Sequence, residues 1–223
     1  QPGKGKTHKT KVLTSGGIIP VFFLSLILFF IIYFDNFIYS EYLSNIPQLW
    51  MAPITIIILL FISFFDDLNY IPFQLRLFLQ LILVYLCISL FPVNQDYSFQ
   101  TPLFGGLIPL KIDIVLTIIF WTFVINSTNF IDGYDGMFSF QIITNFFGLT
   151  FIFFMIDEIF HFKVSMLMLF IGILFIPFNL GKKFKMYIGD AGSIPSGFIL
   201  GWMLISLINM GYYMSAIFIN FLF

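Results

Sequence analysis

Charged side chains are scarce in this sequence. They make up 9% of its 223 residues, and the formal net charge at pH 7 is −1. A nucleic-acid-binding protein needs a dense basic surface to neutralise phosphates, and no tract of this chain is basic enough to provide one. We therefore expect no nucleic-acid partner.

Cysteine and histidine are almost absent as well. The single cysteine, Cys87, lies inside an apolar run, where we interpret it as a small packing residue. One cysteine excludes both an intrachain disulfide framework and a cysteine-based metal site. With only His8 and His161 beside it, zinc is a poor candidate for a bound metal.

Apolar residues are what the sequence has in abundance: 60% of the chain is hydrophobic and 21% aromatic, and the mean hydropathy is +1.01. Backbone polar groups in lipid must be satisfied within the chain, and no alternating strand pattern is present, so the runs predict helices. We predict an all-α polytopic transmembrane bundle, a single integral membrane domain over 1–223, with seven spans and a partial eighth from Tyr212. The predicted spans are 17–34, 48–65, 72–91, 110–127, 138–156, 164–178 and 193–210.

Seven spans determine which loops share a side of the membrane. One side receives 1–16, 66–71, 128–137 and 179–192 and nearly all the basic residues, whereas Lys111 and Lys163 lie near the other. The basic residues of the first side are Lys4, Lys6, Lys9, Lys11, Arg76, Lys182, Lys183 and Lys185. Because loops rich in lysine and arginine stay inside, we predict that this side faces the cytoplasm at the inner (plasma) membrane.

Five carboxylates fall on the predicted cytoplasmic side: Asp66, Asp67, Asp132, Asp135 and Asp190. Adjacent carboxylates such as Asp66 and Asp67 repel each other, so a divalent cation is their natural partner, and hard oxygen ligands suit Mg²⁺ or Mn²⁺. Such a site fits metal-assisted phosphoryl transfer to a lipid phosphate. Two simpler interpretations stay open: Asp132 and Asp135 as turn formers, and Asp190 as a helix N-cap.

The nearby basic residues also allow two interpretations. Arg76 either binds phosphate through its guanidinium or extends along the helix to the membrane surface. The lysines Lys182, Lys183 and Lys185 either attract a nucleotide or lipid phosphate or only anchor the topology.

We interpret the remaining acidic residues as solvated loop charges on the other side: Asp35, Glu41, Asp96, Asp113, Asp157 and Glu158.

Three motifs then carry a family resemblance. They are Asp66-Asp67-Leu68 followed by Arg76-Leu-Phe-Leu-Gln80, the run from Asn126 through Asn129, Asp132 and Asp135 to Gly136, and the run from Asn179 to Gly189-Asp190-Ala-Gly-Ser193. In this order they resemble the polyprenyl-phosphate N-acetylhexosamine-1-phosphate transferases of glycosyltransferase family 4. The Asn179-Leu-Gly-Lys-Lys-Phe-Lys stretch is more similar to the bacterial UDP-N-acetylglucosamine branch than to the phospho-N-acetylmuramoyl-pentapeptide transferases.

The resemblance implies transfer of N-acetylglucosamine-1-phosphate from a UDP-sugar to undecaprenyl phosphate, with release of UMP. This would be a first step of cell-wall or lipopolysaccharide assembly. The expected partners are the UDP-sugar, the polyprenyl phosphate and the membrane, and a homodimer stays open. Two alternatives also stay open: the pentapeptide transferase reaction, and a non-catalytic scaffold that binds nucleotide sugar.

The resemblance also implies roles for particular residues. Asp190, with help from Asn129, would ligate Mg²⁺, and Asp66 beside Asp67 would act on the lipid phosphate. Asp132 and Asp135 would bind the uridine end of the donor or support the metal. Substrate contacts are expected from a further set: Arg76, Asn126, Asn179, Lys182, Lys183, Lys185 and His8.

The resemblance implies two segments that these residues do not contain, a leading transmembrane helix and a downstream motif with histidine. We therefore expect the 223 residues to be truncated at both ends relative to the family.

Overall fold

A computed structural model describes residues 16–38, 50–68, 71–90, 109–181, 185–212 and 215–216. These ranges contain seven α-helices and no β-strand, which confirms the all-α fold. The helices are α1 (Ile18–Ile38), α2 (Met51–Leu68), α3 (Phe73–Leu90), α4 (Leu110–Ile131), α5 (Met137–Met155), α6 (Ile159–Asn179) and α7 (Asp190–Asn209). Each corresponds to one predicted span. The partial eighth span lies almost entirely outside the described residues.

Five of these helices, α2 and α4 to α7, are long and apolar enough to cross a membrane, and α1 and α3 contain shorter apolar stretches. Their outward side chains are large and apolar. Phe123, Phe140 and Phe147, for example, are each at least 65% exposed. Such a surface suits lipid and not water. The chain is therefore a multi-pass membrane protein.

Helix α7 is the centre of the bundle, because every residue from 191 to 208 is buried. It packs against α4 and α2 and, over a smaller surface, against α1, while α5 and α6 pair with each other as a hairpin. A transmembrane helix surrounded by other helices needs small residues where backbones approach closely. Gly197 and Gly201, four residues apart, provide that space.

The contact between α4 and α7 depends on these two glycines. A Cβ on Gly197 would lie 2.8 Å from Ile125 Cα, and one on Gly201 would lie 2.3 Å from Trp121 Cδ1. Trp121 cannot move aside easily, because its ring stacks on Phe198 at 4.9 Å and its Nε1–H donates to the Phe198 carbonyl at 2.8 Å. The two helices are locked at this separation.

Several helix ends differ from the sequence prediction by three to five residues: α1 continues to Ile38, α2 continues to Leu68, α7 begins at Asp190, and the ends of α4 and α6 differ as well. We expected a loop from residue 128, but α4 continues to Ile131, and polar side chains in its last turns are satisfied by carbonyls of the preceding turn. Thr128 Oγ1 donates to the Val124 carbonyl at 2.9 Å, and Asn126 Nδ2 donates to the Thr122 carbonyl at 2.8 Å. Helix α6 begins at Ile159, before the predicted 164, and its early His161 ring stacks on Phe153 of α5 at 5.0 Å.

Asp113 is also not a solvated loop charge, so that prediction was wrong. It is fully buried in the first turn of α4. A carboxylate is favoured there because the first backbone N–H groups of a helix have no partner within the helix. The Thr117 hydroxyl donates to the Asp113 carbonyl at 2.8 Å one turn later.

We predict that Gly201→Ala destabilises the bundle although alanine favours helix by about 1 kcal/mol over glycine. The new methyl would overlap the Trp121 ring, and overpacking costs about 1–3 kcal/mol. Thermal unfolding of the purified protein in detergent measures the net effect, expected as a lower midpoint. Gly133→Ala is the matched control, because its Cβ would have only the Phe130 carbonyl nearby, at 3.8 Å. An unfolding midpoint at or above the wild-type value for Gly201→Ala would contradict the prediction.

Candidate active site

The end of α2, the first turn of α3, the end of α4 and the first residue of α7 meet at one end of the bundle. There Arg76 Nη1 lies 2.6 Å from Asp66 Oδ2 and also pairs with Asp190 Oδ2. One guanidinium nitrogen thus joins two carboxylates from separate helices, α2 and α7. The remaining oxygen of Asp66 accepts the Ile71 N–H at 2.7 Å, which fixes the turn between α2 and α3.

Asn129 completes this cluster from the last turn of α4. Its Nδ2 donates to Asp190 Oδ1 at 2.7 Å and to Ser193 Oγ at 2.9 Å. The Ser193 hydroxyl in turn donates to the Gly189 carbonyl at 3.0 Å. The Asp190 carboxylate is therefore oriented from two sides, by Arg76 and by Asn129. We refer to Asp66, Arg76, Asn129 and Asp190 as the charged cluster.

Asp132 follows α4 and holds the backbone that leads into α7. Its carboxylate accepts the Gly189 N–H at 2.8 Å and the Ile188 N–H at 3.3 Å. Gly189 has φ 73°, a conformation that favours glycine, so the chain can turn sharply just before Asp190. Asp132 thereby positions the segment that carries Asp190.

Burial raises the pKa of Asp132 from 3.8 to about 6. The hydrogen bonds from Gly189 and Ile188 lower this pKa, and the negative charges of Asp190 and Asp67 raise it further. Asp67 adds negative charge near the cluster, because its carboxylate acts electrostatically on Asp132. The site therefore concentrates negative charge.

Asp135 forms a second group beside the charged cluster. Its carboxylate accepts hydrogen bonds from Lys185 Nζ and from the Tyr187 hydroxyl. The hydrogen bond to Asp135 raises the pKa of Lys185, and burial raises the pKa of Tyr187. Lys185 Nζ lies 5.6 Å from the centre of the Tyr187 ring. Asp132 and Asp135 therefore point to different partners.

Other predicted residues bond elsewhere. Asn126 Nδ2 donates to Gln80 Oε1 at 2.7 Å, one turn away from the charged cluster along α3 and α4. Asn179 is fully buried, and its Oδ1 lies 3.5 Å from the Ser139 N–H of α5. His8, Lys182 and Lys183 lie outside the described residues. The substrate-binding roles of all these residues remain predictions.

Several contacting residues had no predicted role. Ser193 and Gln80 stand within the motifs that carry the resemblance, which is the signal that could have found them. Tyr187 lies within the run from Asn179 to Ser193 as well, but its residue type drew no attention, because an aromatic residue in such an apolar chain is ordinary. Backbone hydrogen bonds also hold the segment before Asp190. The Gly17 N–H donates to the Ile188 carbonyl at 2.8 Å, and the Gly16 N–H donates to the Tyr187 carbonyl at 3.1 Å.

The carboxylate oxygens of the charged cluster are suitable ligands for a small divalent cation. Asp66 and Asp190 offer hard carboxylate oxygens that already share a positive charge, and Mg²⁺ commonly binds through one or two carboxylates together with substrate phosphate. No group of three or more His, Cys, Asp or Glu side chains suited to a metal occurs in the part of the chain that the structure describes. The residues fit a cation shared with a phosphate and not an all-protein cage.

The bundle and this cluster define a multi-pass membrane protein with a charged site at one end of its helices. The sequence model of glycosyl transferase family 4 matches residues 49–208, which include α2 to α6 and nearly all of α7. The chain therefore belongs to glycosyl transferase family 4, which confirms the resemblance seen in its motifs. At the level of the family it is a membrane transferase that moves a sugar phosphate onto a polyprenyl phosphate. No individual curated protein matches the sequence.

We predict that Asp132 makes the stability of the protein depend on pH. Its pKa is higher in the folded than in the unfolded state, so the folded state keeps the proton longer. The contribution of the Asp132 side chain to the free energy of unfolding is therefore fully present below about pH 4. It is lost as the pH rises through about 6, and the loss is about 3 kcal/mol at most. Asp132→Asn cannot ionise and should not show this loss.

Thermal unfolding in detergent with EDTA, from pH 4.5 to 7.5, tests this. The unfolding midpoint of the Asn variant should be lowered by the same amount at every pH, because its side chain offers one acceptor oxygen to two backbone N–H groups. The wild-type midpoint should fall relative to the variant midpoint as the pH rises. A difference that stays the same at every pH would rule out the raised pKa.

Proposed function

We propose that this protein transfers N-acetylglucosamine-1-phosphate from UDP-N-acetylglucosamine to undecaprenyl phosphate at the cytoplasmic face of the plasma membrane, releasing UMP. The observation that carries the proposal is the charged cluster in a chain of glycosyl transferase family 4. The cluster lies at helix ends, where a lipid phosphate at the membrane surface can meet a water-soluble nucleotide sugar.

The chemistry is a displacement at phosphorus. An oxygen of the lipid phosphate forms a bond to the sugar-linked phosphorus, and the bond from that phosphorus to the bridging oxygen breaks. The bridging oxygen leaves with its electron pair on UMP. A phosphate monoester is already largely ionised near pH 7, so the attacking oxygen needs no separate base. The task of the protein is to position two polyanions and to offset their repulsion.

Asp190 and Asn129 would hold Mg²⁺, which when bound would stabilise charge on the donor pyrophosphate. Asn129 also orients the Asp190 carboxylate by donating to it. Asp132 holds the Gly189 backbone N–H and so fixes where Asp190 lies. Asp66 fixes the turn before α3, and with Asp67 beside it would add negative charge that favours a divalent cation at the site.

Arg76 and Lys185 are the described cations at this end of the bundle. A guanidinium can bind a phosphate through two parallel hydrogen bonds, so Arg76 suits the lipid phosphate. Lys185 and Tyr187, joined through Asp135, offer a charge and an aromatic face that suit the nucleotide. This division of roles would bring the two substrates to Asp190 from neighbouring sides.

We expect the purified wild-type protein to release UMP from UDP-N-acetylglucosamine when undecaprenyl phosphate and Mg²⁺ are both present. Asp190→Asn should lower this turnover by about 100-fold or more, because a metal ligand is lost while the hydrogen bond to Asn129 can be kept. Asp157→Asn is the matched control: it replaces an exposed aspartate in the α5–α6 turn, where φ is 59°, a conformation that asparagine also tolerates.

Unfolding midpoints of both variants should be recorded, so that a loss of turnover is not mistaken for a loss of folding. Turnover by Asp190→Asn equal to that of the control would remove the metal assignment. UMP release that does not require the lipid phosphate would contradict the proposed acceptor.

The cytoplasmic orientation predicts a labelling pattern for single cysteines in a Cys87→Ala background. Tyr134 is 60% exposed beside the charged cluster, and Met155 is equally exposed at the other end of α5. In intact spheroplasts, a membrane-impermeant maleimide should label Met155→Cys and spare Tyr134→Cys until the membrane is opened. The reverse pattern would place the charged cluster on the outer face.

A further inference from the structure

Arg76 binds the two carboxylates with a single nitrogen, Nη1, and its Nε has no hydrogen-bond partner among the described residues. We propose that this guanidinium is an exchangeable counter-charge: a divalent cation competes with it for Asp66 and Asp190, and the displaced guanidinium then binds a substrate phosphate. The inference rests on the proposed function for the identity of the anion. The competition itself requires only the contacts described above.

The two carboxylates are held where a metal would need them. Both contacts converge on Arg76 Nη1, and the side chains of Asp66, Arg76 and Asp190 are 9%, 16% and 28% exposed. A divalent cation that binds Asp190 enters the same small volume as this nitrogen. Two positive centres cannot share one carboxylate pair at contact distance without strong repulsion. Binding of one therefore weakens binding of the other.

The local charge favours the exchange. Two carboxylates, from Asp66 and Asp190, contact one guanidinium, and the negative charges of Asp190 and Asp67 both act electrostatically on the nearby Asp132. The single positive charge of Arg76 offsets only part of this negative charge. A divalent cation offsets more of it, so the guanidinium can leave without exposing an uncompensated pair.

The guanidinium also has free capacity for an anion. Its Nε is buried, and no hydrogen-bond partner for it occurs among the residues that the structure describes. The Phe73 ring lies 5.9 Å from Arg76 Cζ and supports the group from one side. An Nε–H and an Nη–H of one guanidinium match two oxygens of one phosphate. Release from the carboxylates thus leaves Arg76 with the fork that phosphate binds best.

Mn²⁺ binding to the purified protein in detergent tests the competition without turnover. We expect Arg76→Gln to bind Mn²⁺ about fivefold more tightly than the wild type, because the competing charge is gone. Lys185→Gln is the matched control: it removes one positive charge at the same end of the bundle, but from Asp135. Its Mn²⁺ affinity should stay within about twofold of the wild-type value, since the Lys185 charge is paired with Asp135 and does not occupy the position between Asp66 and Asp190.

Arg76 is the only arginine in the sequence, so a second measurement needs no variant. Phenylglyoxal modifies arginine, and mass spectrometry reports the modified fraction of Arg76. Mn²⁺ should speed this modification by freeing the guanidinium, and inorganic phosphate added with Mn²⁺ should slow it again. This readout remains valid if Arg76→Gln fails to fold.

Unchanged or weaker Mn²⁺ binding by Arg76→Gln would overturn the exchange, and so would equal tightening by Lys185→Gln. Modification of Arg76 that Mn²⁺ slows or leaves unchanged would also overturn it. The UMP-release assay separates this inference from the proposed function. A wild type that turns over but fails these tests refutes only the exchange, whereas one that passes them without turnover refutes only the proposed reaction.

Discussion

The complete burial of α7 is the constraint on which the rest of the structure depends. A helix buried on every side needs neighbours all around it, and α1, α2 and α4 provide them. Its glycines set how close α4 comes, through Ile125 and Trp121. Because Asp190 is the first residue of α7 and Asn129 lies in the last turn of α4, the same packing determines the distance between these two side chains. The packing of the helix core therefore also determines the geometry of the charged cluster.

The charged cluster is a case in which charge is kept near the membrane because it is paired. Arg76 compensates Asp66 and Asp190, and Asp132 is compensated by backbone N–H groups. These two means of compensation have different consequences. A backbone donor stays in place, so Asp132 serves to position the segment before α7. A side-chain cation can move, which is what the exchange proposed for Asp66 and Asp190 requires.

Much of the fold could be predicted from the sequence, because the length and apolarity of the seven runs are sufficient to identify helices. The number of spans also predicted that Asp66, Asn129 and Asp190 would share one end. Which helix would be central was harder to predict. Lipid is as apolar as the protein interior, so a buried helix and a lipid-facing helix have similar hydropathy. Small residues such as Gly197 and Gly201 are the feature of α7 that indicates close packing by other helices.

The details of the site could not be predicted, because they depend on contacts between residues far apart in the chain. The spacing of Asp132 and Asp135 gives no sign that one bonds to Gly189 and the other to Lys185. The burial of Asp113 was missed because α4 begins three residues before it, after a stretch that reads as irregular. The persistence of helix to Ile131 was missed because Asn126 and Thr128 look like loop residues until their bonds to the preceding turn are seen.

The segment 187–189, just before α7, is hydrogen-bonded on both sides. On one side its carbonyls accept the Gly16 and Gly17 N–H groups, and on the other its N–H groups donate to Asp132. A segment fixed in this way has little conformational entropy left to lose when a substrate arrives, so binding energy is not consumed in ordering it. In the proposed function, Gly16 and Gly17 just before α1 would thus support affinity at a distance, by holding rigid the backbone that leads to the Asp190 carboxylate.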